Sequence, residues 1–111
     1  MISANTRESA VISHEMDKEK APYAQLMNVS PELAARWLAE CNTNNRRAKS
    51  AEVGRIVRDI RNGEWQVTHQ GIAFSKDNVL IDGQNRLHAI VRSKMTVPMY
   101  VWFNMDPRSL L

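Results

Sequence analysis

The stretch VLIDGQNRLHAIV, residues 79–91, decides the fold. Val79–Ile81 is a short apolar run typical of a buried strand, and Asp82-Gly83 ends it with two turn-forming residues. The apolar residues that follow recur at helical spacing and predict a helix that runs to about residue 94: Leu87, Ile90 and Val91. The order of strand, tight turn and helix therefore places Gly83 at the amino end of a helix.

The amino end of this helix is a favourable place for a phosphate group. The first N–H groups of a helix have no partner within the helix, and they carry partial positive charge. Gly83 allows a ligand to approach the backbone closely, and Arg86 could hold phosphate oxygens with two parallel hydrogen bonds. Asp82 could hold a ribose hydroxyl or a metal-bound water, while Gln84 and Asn85 could orient a phosphate or a base. The alternative is that Asp82 is only a helix cap and Arg86 only a surface charge.

The residues on either side of this stretch predict two more helices and a small sheet. Ser30-Pro31-Glu32 has the composition of a helix start, with Ser30 as the cap, and the helix is expected to end near Cys41. Ser50 is expected to cap a second helix, which Asn62-Gly63 ends. Strands are predicted in four further segments: 24–29, 65–68, 72–74 and 97–103. Asp106-Pro107 is expected to begin another helix.

These elements predict a single compact α/β (α+β) domain. Residues 1–22 are polar, without a clear period, and are interpreted as an N-terminal arm, with the domain over 23–111. A mixed sheet is expected to pack against helices at about 31–41, 51–62 and 84–94, because neither isolated helices nor a lone hairpin would be stable.

The segment DGQNRLHAI, together with the strand VLI before it, resembles the DGQ(H/Q)RLHA signature of ParB/sulfiredoxin-like proteins of phages and plasmids. SPELAARWLAE, NTNNRRAKSAEVGRIVRDIRNGEW and TVPMYVWFNMD also occur in the order typical of that family. The resemblance covers roughly residues 24–107 and implies one domain of that fold, with a mixed sheet and three or more helices. The family's fold usually continues beyond Asp106-Pro107, which leaves a truncated C-terminus open.

The resemblance implies nucleotide binding only where individual positions match. Sulfiredoxins have a catalytic cysteine after the glycine, followed by a histidine and an arginine that bind ATP, but here Gln84 and Asn85 take the cysteine and histidine positions. Amide side chains are not nucleophiles, so a thiol-based reductase is excluded. ParB proteins bind CTP at the equivalent motif, which only Gly83 and Arg86 match. The expected ligand is thus an NTP with Mg²⁺. Asn45 and Arg46, in the loop before the second helix, could add a second phosphate contact. No residue is assigned a catalytic role.

Six of the 15 basic residues lie between Arg46 and Arg61, although the net charge is only +3. A patch of this kind attracts anionic partners, so a DNA contact is expected at Arg47, Lys49, Arg55, Arg58 and Arg61. The alternative is that these side chains only keep an ordinary exposed face soluble.

Composition excludes several classes of protein and site. The apolar runs are too short to cross a membrane, and the N-terminal residues lack the apolar core of a signal peptide, so a cytoplasmic location is expected. Cys41 is the only cysteine, which excludes an internal disulfide and a cysteine-based zinc site. His88 has no second histidine at ligand spacing, and no metal site is predicted.

Three functions remain open from the sequence. The first is a nucleotide- or nucleic-acid-binding module of a phage, plasmid or other mobile element. The second is a protein-interaction module that has kept the fold and lost the ligand, such as an inhibitor of a host defence or replication system. The third is a metal-dependent nuclease that uses Asp82 with Asp59 and Glu64. The residues favour binding over catalysis; a catalytic version would be an NTP hydrolase or a nuclease.

Overall fold

The computed structural model describes residues 21–43 and 45–110. Within these ranges it contains four strands, three α-helices and one short 3-10 helix. In chain order they are β1 (Tyr23–Val29), α1 (Pro31–Cys41), α2 (Ser50–Arg61), β2 (Ile72–Ser75), β3 (Leu80–Asp82), α3 (Gln84–Ser93), β4 (Val97–Met105) and the 3-10 helix Pro107–Leu110. The predicted α+β class and the predicted helices are confirmed. The predicted arm, residues 1–22, lies largely outside the described residues.

The four strands form one mixed sheet in the order β1-β4-β2-β3. Strand β4 pairs antiparallel with β1, with Met27 opposite Met99, and parallel with β2, with Ile72 opposite Val101. Strand β3 pairs antiparallel with β2 at the other side of the sheet. The turn that follows β3 therefore leaves the sheet at an edge strand, where a ligand can reach it.

Helix α3 is the central helix of the domain, because it packs against both α1 and α2. Its apolar side chains Leu87 and Ile90 are fully buried. The aromatic part of the core links α1 to the sheet, with the Trp37 and Phe74 rings 5.0 Å apart in an edge-to-face arrangement. The amino end of α3 is thus fixed by the core behind it.

Two helix boundaries have the structure that their residues predict. The Ser30 hydroxyl accepts a hydrogen bond of 3.1 Å from the Leu33 amide, which confirms Ser30 as the cap of α1. Gly63 follows α2 with a φ of 71°, in the left-handed region that favours glycine. Cys41 is buried in the last turn of α1, as a small apolar residue would be.

The prediction that Ser50 caps α2 is wrong. Ser50 is the first helical residue, Lys49 takes the cap position, and no side chain caps this helix within the described ranges. The Lys49 amide instead donates to Asn85 Oδ1 at 3.1 Å, so a residue far along the chain sets where α2 begins.

The predicted strand at 65–68 is also wrong. The segment runs beside β4 without joining the sheet, and it is held there by side chains: the Trp65 indole N–H donates to the Pro98 carbonyl at 3.0 Å, and that of Trp102 to the His69 carbonyl at 3.4 Å. Residues 66–70 are exposed, so no packed face imposes the alternation of a strand.

The last predicted element is shorter than expected. Pro107 begins a 3-10 helix, and Asp106 caps it by accepting a hydrogen bond of 3.0 Å from the Arg108 amide. Among the described residues, none of the helices is long and apolar enough to cross a membrane.

Candidate functional site

The start of α3 has an unusual backbone that requires glycine. Gly83 takes the cap position with a φ of 100°, and no side chain caps the helix in the part of the chain that the structure describes. A Cβ at this position would lie 2.7 Å from the Gly71 carbonyl oxygen and 2.8 Å from Cδ1 of Ile72. Asp82 is the exposed last residue of β3, so the alternative in which Asp82 caps the helix is wrong.

A cleft of about 180 Å³ opens at this helix start. Gly83, Gln84, Asn85 and Arg86 line one side of it, and Glu52 and Ile56 from the first turns of α2 line another. Both helices lack a side-chain cap in the described structure. The first N–H groups of a helix need a partner from outside the helix, and the start of α3 lies at this cleft.

Amide side chains fix the loop before α2 against the start of α3. Gln84 donates to the Arg46 carbonyl at 2.6 Å and accepts from Asn42 at 2.7 Å. Asn45 donates to Asn42 Oδ1 at 2.7 Å and to the Leu80 carbonyl at 2.6 Å. Asn45 therefore lies beside the turn, as predicted, while its contact with phosphate stays a prediction. Asn42 was missed by the sequence analysis, since only the fold shows which amide of this loop reaches Gln84.

Arg86 is anchored within the chain. Its Nη1 donates to the Gly71 carbonyl and its Nη2 to Gln70 Oε1, both at 3.2 Å. An arginine carries more N–H donors than these two bonds use, so others remain for a ligand. Arg86 consequently has a role in the fold as well as the predicted role in binding.

The charges at the cleft are of both signs. Glu52 accepts a hydrogen bond of 2.5 Å from Arg55, which is the main reason that the pKa of Glu52 lies below its ordinary value. Arg86 and Lys49 lower it further by charge attraction. Glu52 is therefore ionised at neutral pH, and Asp82 brings a second carboxylate to the same cleft.

A second cleft, of about 290 Å³, lies directly beside the first. The two clefts have Glu52, Ile56 and Arg86 in common. The remaining lining residues of the second cleft come from α2 and from the segment before β2: Arg55, Asp59, Glu64, Trp65, Gln66, Thr68 and Gln70. No local sequence pattern indicates this cleft, because residues from three separate segments form it.

The acidic residues proposed for a nuclease lie in different clefts. Asp82 lines the first, whereas Asp59 and Glu64 line the second. The described residues contain no group of three or more histidine, cysteine or acidic side chains that could hold a metal ion. His88 is partly buried, and this burial, followed by the charge of Arg92, lowers its pKa.

The basic residues predicted for DNA binding differ in their surroundings. Arg47, Lys49 and Arg58 are exposed. Arg55 is paired with Glu52, and the Arg61 guanidinium donates to the Arg92 carbonyl at 3.1 Å. The last contact brings Arg92, which the sequence analysis did not include, next to the basic side chains of α2.

Comparison of the chain with protein-family models, with curated proteins and with solved structures found no match. The ParB/sulfiredoxin-like resemblance therefore stays a prediction.

Proposed function

We propose that this domain binds a nucleotide through its phosphate groups, at the cleft that opens at the start of α3. The observation that carries the proposal is that α3 starts without a side-chain cap at a cleft lined by Arg86. N–H groups at helix starts and a guanidinium are the donors with which proteins hold phosphate. The amide contacts of Gln84 and Asn45 hold these donors in place before a ligand arrives.

The two carboxylates of the cleft bear on the form of the ligand. Asp82 and Glu52 would repel a bare phosphate, but one or two carboxylates together with phosphate oxygens are the usual ligands of Mg²⁺. A nucleoside triphosphate with Mg²⁺ suits this donor set, and the metal would arrive with the nucleotide. Asp82 and Glu52 would then hold the ion, while Arg86 and the start of α3 hold the phosphate oxygens.

Binding of inorganic tripolyphosphate tests the proposal, because this probe carries the phosphate chemistry without a base. A ligand at a hundred times its Kd stabilises a folded protein by about 2.7 kcal/mol, which raises the Tm of a domain of this size by several degrees. We expect such a rise with tripolyphosphate and Mg²⁺, and a smaller one with sodium chloride of matched ionic strength. Equal melting temperatures in the two solutions would contradict the proposal.

A nucleic acid is the second candidate ligand. It is favoured by exposed basic side chains in α2 and in the loop before it, namely Arg47, Lys49 and Arg58. Phosphate contacts release counterions, so the affinity for duplex DNA would fall with salt, with a slope of about −0.9 per contacted phosphate. Fluorescence anisotropy at several salt concentrations measures this slope. Arg47→Glu with Arg58→Glu would abolish the binding; binding that survives both changes contradicts this candidate.

The protein-interaction alternative is supported by the exposed face of the β1–β4 pair, away from the core. Leu26 and Tyr100, which are partners in the β1–β4 register, are 56% and 37% exposed. Exposed apolar side chains that lie side by side can contribute to a binding surface for another protein. If neither tripolyphosphate nor DNA binds, this alternative becomes the better proposal. An origin in a phage, plasmid or other mobile element is proposed on the sequence resemblance alone.

A further inference from the structure

The face of the sheet away from the core carries a third cleft. Buried and exposed residues alternate along β4, so Tyr100 and Trp102 lie on the face opposite the core. Leu26 is the partner of Tyr100 in β1, and Ala73 is the partner of Trp102 in β2. A cleft of about 330 Å³ opens beside this last pair. Its apolar lining consists of Ile72, Ala73, Trp102 and Met105.

The third cleft lies at the end of the sheet where β1 begins. Ala24, the second residue of β1, is opposite Trp102, which is in turn opposite Ala73. Neighbouring strands are about 4.8 Å apart, so two strand spacings, or about 10 Å, separate the start of β1 from the cleft. The chain before Tyr23 therefore enters the fold close to the cleft.

The chain before β1 is long enough to reach the cleft. Residues 1–20 lie outside the described residues and are mostly polar, but they include Val11, Ile12 and Met16. Six residues separate Met16 from Tyr23, and an extended chain of that length spans about 20 Å. This is about twice the distance to the cleft. Residues 17–20 alternate in charge, as suits a solvated tether.

The size of the exposed face favours a segment of the chain over a second copy as its occupant. Residues on one face of a strand recur about every 6.8 Å, so the outward positions of β1 and β4 cover on the order of 300 Å². A specific interface between two proteins buries about 800 Å² on each partner. A tethered segment needs less area, because its effective concentration at the face is in the range of about 1 mM.

We propose that residues 11–16 dock on the exposed face of the β1–β4 pair, with Ile12 and Met16 in the third cleft against Trp102. Docking removes the apolar surface of the segment and of the cleft from water at the same time. This inference goes beyond the proposed function and makes no use of the phosphate site. A protein partner for Leu26 and Tyr100 has to displace the segment, which therefore controls access to this face.

Methyl NMR of the full chain tests the proposal. We expect nuclear Overhauser contacts from the methyl groups of Ile12 and Met16 to the Trp102 ring. Ile12→Asp is expected to abolish the contacts of Met16 as well, because a carboxylate is costly to bury in an apolar cleft. Ser13→Asp is the matched control, since it adds the same charge one position along the chain and is expected to leave the contacts intact.

The face can be tested separately from the segment. The dye ANS binds exposed apolar surface, and Ile12→Asp is expected to raise its fluorescence severalfold, whereas Ser13→Asp leaves it unchanged. Leu26→Asp places a charge beside the cleft and is expected to weaken the contacts of Met16 with Trp102. Asn28→Asp is its control, because Asn28 is exposed on the same strand but lies at the end far from Ala24.

Each outcome either supports the proposal or overturns it. Absence of contacts between residues 11–16 and Trp102 overturns it, and so do equal effects of Ile12→Asp and Ser13→Asp. A mixture of differently labelled copies identifies the source of the contacts. Contacts within one copy support the proposal, whereas contacts found only between copies assign the face to a dimer and overturn it. None of these measurements involves a phosphate ligand, so their failure leaves the proposed function as it stands.

Discussion

Helices α1 and α3 begin in opposite ways. At α1 the Ser30 hydroxyl accepts from the Leu33 amide, Pro31 follows, and Glu32 places negative charge in the first turn. At α3 the cap position is Gly83, the described chain offers no capping side chain, and the first turn has no acidic residue. A side chain caps one of the first N–H groups of α1, whereas no described side chain caps α3.

Packing elsewhere in α3 offsets the missing cap at its start. A helix cap contributes about 1 kcal/mol, and burial of a leucine or isoleucine side chain contributes more. Leu87 and Ile90 of α3 are fully buried, so the central helix is stabilised along its length. The fold can therefore leave an uncapped helix start at the surface, where a ligand can use it.

Gly83→Ala is expected to have the largest effect on stability, because it disturbs the backbone at the uncapped start of α3. The new Cβ would collide with the Gly71 carbonyl oxygen, and a φ of 100° is strained for alanine. We expect the free energy of unfolding to fall by about 3 kcal/mol in urea denaturation. Gly63→Ala is the control, since Gly63 has a φ of 71° but open space around it, and a loss of about 1 kcal/mol is expected there. Equal losses would show that the close approach at Gly83 has no importance.

Arg86→Ala tests the hydrogen-bond donors at the uncapped start of α3. Binding of tripolyphosphate is expected to weaken by about 1.5–3 kcal/mol, the scale of a charged hydrogen bond. The sequence alone predicts little effect on folding, but the bonds to Gly71 and Gln70 add an expected stability loss of about 1 kcal/mol. Calorimetry and urea denaturation measure the two effects separately. Arg92→Ala, at an exposed position on the same helix, serves as the control. If Arg86→Ala lowers the stability but leaves tripolyphosphate binding unchanged, the role of Arg86 in binding is refuted.

Ser30→Ala tests the capped start of α1, and it should affect stability alone. Loss of the hydrogen bond to the Leu33 amide is expected to lower the free energy of unfolding by about 1 kcal/mol. The affinity for tripolyphosphate should not change, because α1 contributes no residue to either cleft. A weaker affinity in this variant would mean that the two helix starts are coupled.

The 3-10 helix after β4 provides a third start, with a charged cap and the smallest expected effect. Hydrogen bonds from the Arg108 side chain and amide hold the pKa of Asp106 at about 2, below its ordinary value near 4. Because the folded-state pKa is lowered, the stabilisation is present above pH 4 and is lost as the pH falls towards 2. NMR titration of the carboxylate measures this pKa. Arg108→Ala should raise it partway, since the backbone hydrogen bond remains, and an unchanged value would contradict this explanation.

The parts of the fold that were predictable are those that depend on neighbouring residues. Ser30 caps its own helix and Gly63 ends its own, so local chemistry was sufficient. The start of α2 depends on Asn85, which lies 36 positions away, and Ser50 was therefore a wrong choice of cap. The prediction of a strand at 65–68 was wrong because residues 66–70 are exposed, and no packed face there favours an extended, paired backbone.

The candidate site divides in the same way. The turn at Gly83 was predictable, because a strand, a glycine and a helix follow each other within a few residues. The contacts of Gln84 with Asn42 and Arg46 were not, since they depend on how α1 and α2 lie beside α3. The second cleft depends on the same packing, and local sequence patterns carry no information about it.

The position of β4 in the sheet has a consequence for synthesis on the ribosome. Strand β4 is the last strand along the described chain, yet it lies between β1 and β2. Until Val97–Met105 has emerged, β1 has no neighbour in the sheet and β2 has only β3. Pairings between distant segments form slowly, and unpaired strands associate readily with other chains. The nascent chain would thus expose β1 until β4 has emerged, and it would complete its sheet only then.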